Sequence, residues 1–338
     1  MTQMCLITLK PLGPSNRNPR MRDSEARALY GTTTFSGQIP YTRQELFSEG
    51  AKSTQGMSIS GVQQKLSLRF DKTARTLVPT STGGTFIIKP SPDQYPQCAE
   101  LEHLGMLISQ LLGIETAQQG LVEFSNGEKA YITRRFDRAD EDRMKLPMED
   151  LCSLSDLPKD DKYESSYEAA GLVLREATGG KLVVLQDYVM RILVAYLIGN
   201  EDLHLKNFSV IRNPGDTSTF YSKLSPNYDN VPTIVYDLSV LNGYLAMPLM
   251  PAERTENGGE YSKAYQYFGY YTQQDFIDLG ESLGLNARVI LTSIQRIEKK
   301  IPEMKALIEC ADIREAYKTK LLTTVSERMR ALNARMDS

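Results

Sequence analysis

Histidine is scarce in this 338-residue chain, with only His103 and His204 present. Cysteine is scarce as well. The four residues Cys5, Cys98, Cys152 and Cys310 stand far apart with no C-x-x-C spacing. Neither a zinc site nor a disulfide framework follows from such a pattern, and a reducing cytoplasm suits it best. A basic excess is also lacking. Lys and Arg together number 39 against 42 Asp and Glu, a net charge of -3, which argues against an autonomous nucleic-acid binder and leaves only indirect DNA contact. No apolar run follows the amino terminus from Met1 to Pro11. The most apolar helical stretch, Val184 to Ile198, is broken by Asp187 and Arg191, so neither a secretion signal nor a membrane span is read. Internal repeats and low-complexity tracts are absent too.

What is there fits a soluble globular chain. Apolar residues make up 41% and charged residues 24%, and the length suits one large domain or two lobes around a cleft. Leu6 to Leu9 reads as a short strand, and residues 10–30, rich in Pro, Asn, Arg and Asp, read as an irregular connection. "KLSLRF" at 65–70 alternates apolar and polar residues, and "GTFIIKP" at 84–90 is a β-branched run ended by proline, so both predict strands. Asn126-Gly127 between two alternating segments predicts a hairpin over 120–136. Ala99 to Leu112 carries leucines at helical spacing with Gly113 just past its end. After residue 165 helical periodicity dominates: Tyr167 to Glu176, Leu185 to Ile198, Gln274 to Leu283, Arg288 to Ile308 and Ile313 to Leu332, with Pro302 expected to bend or interrupt the fourth. The pattern predicts an α+β chain, a small β-rich lobe over 1–140 followed by a larger helix-dominated lobe over 141–338.

Chemistry concentrates in "IGNEDLHLKNFSVI", residues 198–211, where a helix gives way to a polar loop and then an apolar run. Phosphoryl transfer needs a carboxylate to receive the attacking hydroxyl's proton and oxygen ligands for Mg²⁺, and Asp202 with Asn207 five positions on supplies both. The spacing equals that of the kinase pattern D-x-x-x-x-N. A polar loop after a helix is commonly nothing more than a capped turn. Asp237 lies in the β-branched run "TIVYDLSVL", residues 233–241, where a carboxylate needs a partner or a metal. It reads as a second Mg²⁺ ligand beside Asn207, or else as a strand-end residue satisfied by backbone donors. Lys89 ends the "FIIK" strand and Glu102 follows on the next helix, an order that suits a lysine held for ATP phosphates. "GMSISGVQQKLSL" at 56–68 offers backbone N–H groups and hydroxyls of Gly56, Ser58, Ser60 and Gly61 to phosphate oxygens, a weak pattern by itself because Ser/Gly turns before strands are ordinary. Metal binding is not the first reading for His103 or His204; His204 reads as a brace for the loop.

Taken in order, "SISGVQQKL", "TFIIKP", "ELEHLGMLISQLLGI", "ITRRFDR", "PMEDLCSLSDLPKDDKYE", "GNEDLHLKNFSVI" and "PTIVYDLSVL" resemble the HipA family of serine/threonine kinases over roughly residues 55–245. The resemblance implies a two-lobed, protein-kinase-like fold with ATP and Mg²⁺ as cofactors. It implies that Asp202 and Asn207 form the catalytic loop and that Asn207 and Asp237 hold Mg²⁺. Nucleotide contacts would come from Ser60, Gly61, Val62, Lys89, Glu102, His204 and Lys206, with adenine held by the backbone at Arg134, Arg135 and Phe136. In that family a serine of the "SIS" segment is autophosphorylated and shuts the kinase off, which makes Ser58 and Ser60 candidates. A phosphate there, roughly -1.5 to -2 charges, competes with ATP for the same donors.

Only about 55 residues precede "SISG", fewer than longer HipA proteins have, and the chain looks like the short HipT type. That type implies a small HipS-like antitoxin supplying the missing amino-terminal subdomain and a HipB-like helix-turn-helix antitoxin. The protein substrate implied is an aminoacyl-tRNA synthetase, whose inhibition would stall translation. Two other readings stay open: a phosphotransferase acting on a small alcohol, and an inactive kinase-like scaffold in a repressor complex.

Overall fold

A computed structural model describes residues 3–14, 16–53, 63–139, 144–236, 244–254 and 259–336. It divides into two units. The first is Met1–Leu107 with Thr116–Lys145 and Leu307–Ile313; the second is Ile108–Glu115 with Leu146–Ala306 and Arg314–Ser338. Where the sequence suggests a single boundary near residue 140, the structure interleaves the chain.

The first unit is built on alternation. Leu66 and Leu68 of β1 (Leu66–Asp71) are buried while Arg69 is exposed, the period-two burial of a half-solvated strand. With β2 (Thr76–Pro79), β3 (Phe86–Pro90), β4 (Gln119–Glu123) and β5 (Lys129–Arg134) it forms an antiparallel sheet of order β2-β1-β3-β5-β4. Register pairs Leu66 with Ile88 and Ile88 with Ile132, so these apolar side chains stack on one face. Tyr30 and Phe35 meet edge-on at 4.8 Å in the same core. The β4–β5 turn is closed at Asn126-Gly127, where Gly127 takes φ +84, a conformation that a Cβ would strain.

Two expectations about the amino-terminal region are corrected. Leu6 to Leu9 is a turn, not a strand: Leu9 has φ +53 and donates to the Cys5 carbonyl at 2.9 Å. Leu6 still joins the sheet region, because its carbonyl accepts from the Leu121 amide at 2.8 Å. Tertiary packing, rather than a pleat, buries these apolar residues. Residues 10–30 likewise contain a helix, α1 (Asp23–Tyr30), with acidic residues in its first turn, where they complement the helix dipole. A further helix, α2 (Arg43–Ser53), precedes β1. Helix α3 (Cys98–Leu111) follows β3. A two-residue pairing of β6 (Arg138–Ala139) with β7 (Met144–Lys145) completes the unit's strands.

In the second unit β8 (Met148–Asp150), β9 (Ser209–Ile211) and β10 (Lys223–Leu224) make a small sheet of order β10-β9-β8. The rest is helical: α4 (Leu151–Leu154), α5 (Tyr167–Ala177), α6 (Leu182–Ile198), α7 (Lys263–Phe268), α8 (Gln273–Ser282), α9 (Ala287–Cys310) and α10 (Glu315–Leu332). Every residue of α6 from Tyr188 to Ile198 is buried, as expected of a helix that is apolar all round. Its one buried charge, Arg191, pairs with Asp187 one turn back at 2.7 Å and donates to the Ser225 carbonyl at 2.8 Å. The two charges that interrupt the apolar run thus pair through Arg191 Nη2, while Nε and Nη1 of the same guanidinium are buried with no hydrogen-bond partner among the described residues. Helix α9 continues through Pro302, which is exposed, so the carbonyl that proline leaves unpaired can meet water. Among the described residues no helix is long and apolar enough to cross a membrane. The architecture is α+β and kinase-like, as the sequence indicates.

Candidate active site

The strand-then-helix order of the first unit brings Lys89 and Glu102 together. The β3 register sets Lys89 opposite Tyr131, and α3 carries Glu102 to 2.8 Å from the Lys89 ammonium. The pair is largely dry, with 13% and 1% of the two side chains exposed. The ammonium also lies 5.5 Å from the Tyr131 ring centroid. Beside Glu102, the buried His103 bonds Gln119 at 2.5 Å, and burial pulls its pKa down to about 4. It is a neutral packing residue.

At the end of β5 the backbone is partly committed to the sheet. Arg134 donates its amide to the Gln118 carbonyl and Arg135 to the Thr85 carbonyl, each at 2.8 Å. The Arg135 guanidinium grips Asp137 through two bonds of 2.9 and 2.7 Å. Burial works against that carboxylate, but Arg135 and Arg138 outweigh it and hold Asp137 below the usual range. Phe136 is half-buried beside them. Ser58, Ser60, Gly61 and Val62 lie outside the described residues, as does Asp237.

In the second unit the catalytic-loop candidates sit where α6 stops. Gly199 takes φ +69 and Asn200 donates back to the Ala195 carbonyl at 2.9 Å, the left-handed cap that ends many helices. A Cβ at Gly199 would stand 2.5 Å from Ile234, so the turn needs glycine for room as well as for conformation. Asn200, fully buried, ties the loop to its neighbours. Its amide donates to Asn230 at 2.9 Å, and its side-chain oxygen accepts from the Asp202 amide at 3.1 Å.

Asp202 therefore emerges exposed from a fixed turn. Its carboxylate accepts a hydrogen bond from the Tyr163 hydroxyl. The following 3-10 turn, residues Leu205–Asn207, is locked by the Asn207 side-chain oxygen, which accepts from the His204 amide at 3.0 Å. Asn207 is buried, and the same oxygen type that braces the loop is a hard ligand suited to Mg²⁺. His204 is buried and bonds the Lys162 ammonium at 2.8 Å through Nε2. Burial, with help from Lys162, lowers its pKa against the opposing pull of Asp202 and Asp229. Lys206 reaches away to Asp150 at 2.7 Å, and Asp150 also caps α4.

Sequence reasoning passed over Asp229. It has φ +54, a strained setting for an aspartate, and its carboxylate acts electrostatically on His204. The neighbouring Asn230 side chain holds both Asn200 and, at 2.8 Å, Ser109. Asp229 therefore stands between two residues tied to the candidate loop: the Tyr228 hydroxyl donates to the Lys206 carbonyl at 2.8 Å, and Asn230 accepts from Asn200 at 2.9 Å. Its signal was the polar run Asn227-Tyr228-Asp229-Asn230 after β10, which looks like an ordinary turn. Among the described residues no group of three or more His, Cys, Asp and Glu converges as a metal cluster. Two protein oxygens are what Mg²⁺ bound mainly to phosphates and water requires.

Residues 57–305 match the HipA-like C-terminal domain family. A Haemophilus influenzae protein named "Putative kinase" is 34% identical over 322 residues, covering 89% of this chain and 87% of that one. The serine/threonine-protein kinase toxin HipA of Shewanella oneidensis is 25% identical over 293 residues, 79% of this chain and 62% of that protein. The solved structure of Shewanella oneidensis HipA with HipB and operator DNA superposes with a TM-score of 0.63 at 21% identity, covering 88% of this chain and 74% of that chain. With that extent of match, the chain belongs to the HipA-like kinase family.

Proposed function

We propose that the chain is an ATP- and Mg²⁺-dependent kinase that phosphorylates serine or threonine in a protein. The observation that carries this reading is the Asp202–Asn207 loop, in which an exposed carboxylate and a buried amide oxygen are fixed five residues apart by backbone bonds. Asp202 receives the acceptor hydroxyl's proton, and Lys89, held by Glu102, neutralises phosphate charge. Asn207 and one carboxylate would hold Mg²⁺, which would supply positive charge to offset that of the phosphates. Sequence points to Asp237 as that carboxylate, whereas the bonds that tie Tyr228 and Asn230 to the Lys206 carbonyl and Asn200 favour Asp229, which lies between them.

In this reading the chain is the toxin of a toxin–antitoxin pair of the short HipT type. Its partners are a HipS-like protein and a HipB-like helix-turn-helix antitoxin that carries the DNA contact; the Shewanella structure holds HipA, HipB and operator DNA in one complex. The substrate is an aminoacyl-tRNA synthetase, the setting is cytoplasmic, and phosphorylation of Ser58 or Ser60 switches the kinase off. Phosphoproteomics after brief expression of the wild-type chain against Asp202→Gln tests the whole. A synthetase phosphosite present only with wild type is expected. Identical phosphoproteomes would overturn the kinase reading, and a phosphorylated small alcohol would replace the protein substrate.

A further inference from the structure

The segment "KDDKYE", residues 159–164, is docked on the catalytic loop by more contacts than a connection needs. The Leu205 amide donates to the Lys162 carbonyl at 3.2 Å. Arg254 donates to the Tyr163 carbonyl at 2.8 Å and pairs with Glu164 at 2.7 Å. The Tyr163 ring meets His204 edge-on, with centroids 5.1 Å apart, and the Lys162 ammonium lies 4.9 Å from the same ring. Because that ammonium donates to His204 Nε2 at 2.8 Å, the neutral imidazole carries its proton on Nδ1. The ring of Tyr163 is packed against His204 and the Lys162 ammonium, and its hydroxyl donates to Asp202 Oδ1. Burial, then the Asp202 charge, pushes the phenol's pKa up, so it stays a donor.

We propose that Tyr163 is a positioning residue of phosphoryl transfer, its hydroxyl fixing one oxygen of Asp202 so that the other is presented to the acceptor hydroxyl. This rests on the kinase reading above. In the step, the acceptor oxygen bonds the γ-phosphorus of ATP and the bond from that phosphorus to the β–γ bridging oxygen breaks. ADP leaves with the electron pair, and the acceptor's proton passes to the free oxygen of Asp202. A carboxylate on a short, exposed side chain samples several rotamers; one held at Oδ1 does not. Orientation of that kind acts on the chemical step and leaves nucleotide affinity alone.

The test is single-turnover transfer of labelled γ-phosphoryl from ATP to the chain's own serines, in wild type, Tyr163→Phe, Asp202→Asn and the double variant. Tyr163→Phe keeps the ring packing and removes only the hydroxyl. Its transfer rate should fall by about 10–100-fold with the KM for ATP within about twofold. In the Asp202→Asn background the same change should cost nothing further, because its effect runs through that carboxylate. Wild-type rate in Tyr163→Phe, an equal loss in both backgrounds, or a loss confined to KM overturns the positioning role. 3-Fluorotyrosine at position 163 gives a second readout free of activity: its ¹⁹F resonance should move on Asp202→Asn, and an unmoved resonance overturns the contact. Wild type that transfers no phosphate removes the kinase reading and the catalytic use of Tyr163 together, whereas an active wild type with an indifferent Tyr163→Phe removes only the latter.

Discussion

Lys89 and Glu102 meet at 2.8 Å across the join between a strand and the helix that follows it, with Glu102 almost wholly removed from solvent. An ion pair so dry is weak evidence for stability, since two hydrophobic residues of similar volume commonly do as well. Its persistence here points to use.

That difference separates function from fold. Glu102→Gln takes a 2.8 Å partner from the ammonium and should weaken ATP binding at least about tenfold by calorimetry. Lys89→Met should do the same and also destabilise, on the order of 3 kcal/mol, because it strips a partner from a buried carboxylate. Combining Lys89→Met with Glu102→Leu should restore much of the denaturation midpoint without restoring nucleotide affinity. Recovery of both would make the pair purely structural.

The choice between Asp229 and Asp237 as the metal carboxylate is open to a direct comparison. Asp229 lies between Tyr228 and Asn230, which bond the Lys206 carbonyl and the Asn200 side chain. Asp229→Asn should therefore raise the Mg²⁺ concentration needed for half-maximal transfer by about tenfold or more, with Asp237→Asn changing it little. The opposite ranking would return the role to Asp237.

Self-inhibition is read at the serines. If one particular serine is the switch, alanine at that position alone, Ser58→Ala or Ser60→Ala, should keep the kinase active on prolonged incubation with ATP. If either can serve, only the double variant escapes. Intact-mass spectra taken along the activity decay show which: loss of activity with no added phosphate in wild type would dissociate inactivation from these residues.

The candidate loop was legible because its pattern is local. Asp202 and Asn207 stand five positions apart in one segment, after an apolar helix whose end is marked by glycine, and no tertiary information is needed to see them. Lys89 and Glu102 were readable for a related reason, since a strand followed by a helix returns the chain to its own starting edge. Asp229 and Tyr163 were not, because each approaches the loop from a different part of the chain and neither carries a local pattern beyond that of a polar turn. The same contrast explains the fold. Strands β1, β3, β4 and β5 declare themselves by alternation, and α6 by sheer apolarity. Leu6 to Leu9 is apolar yet turns, because Leu6 gains its backbone partners from Arg20 and Leu121, far along the chain. Helix α1 was hidden in a segment whose prolines and asparagines end just before it begins.

Glu253 gives the protein a pH-dependent stability away from the catalytic loop. It is buried, and burial raises its pKa from 4.5 to about 7, although the Tyr271 hydroxyl and the Leu249 and Met250 amides all donate to it. The folded state therefore holds this proton more tightly than the unfolded chain does. Between the two values the native state binds more protons, so stability falls as pH rises from about 4.5 to about 7 and levels off above. At ~1.4 kcal/mol per pH unit across that span, the loss is on the order of 3 kcal/mol. Denaturant melts at pH 5 and pH 8 should differ in that direction. Glu253→Gln should flatten the difference at some cost in absolute stability, because its amide nitrogen cannot accept from the backbone donors that the carboxylate serves. A wild-type chain that gains stability from pH 5 to pH 8, with the slope unchanged in Glu253→Gln, would show that other groups govern its response to pH.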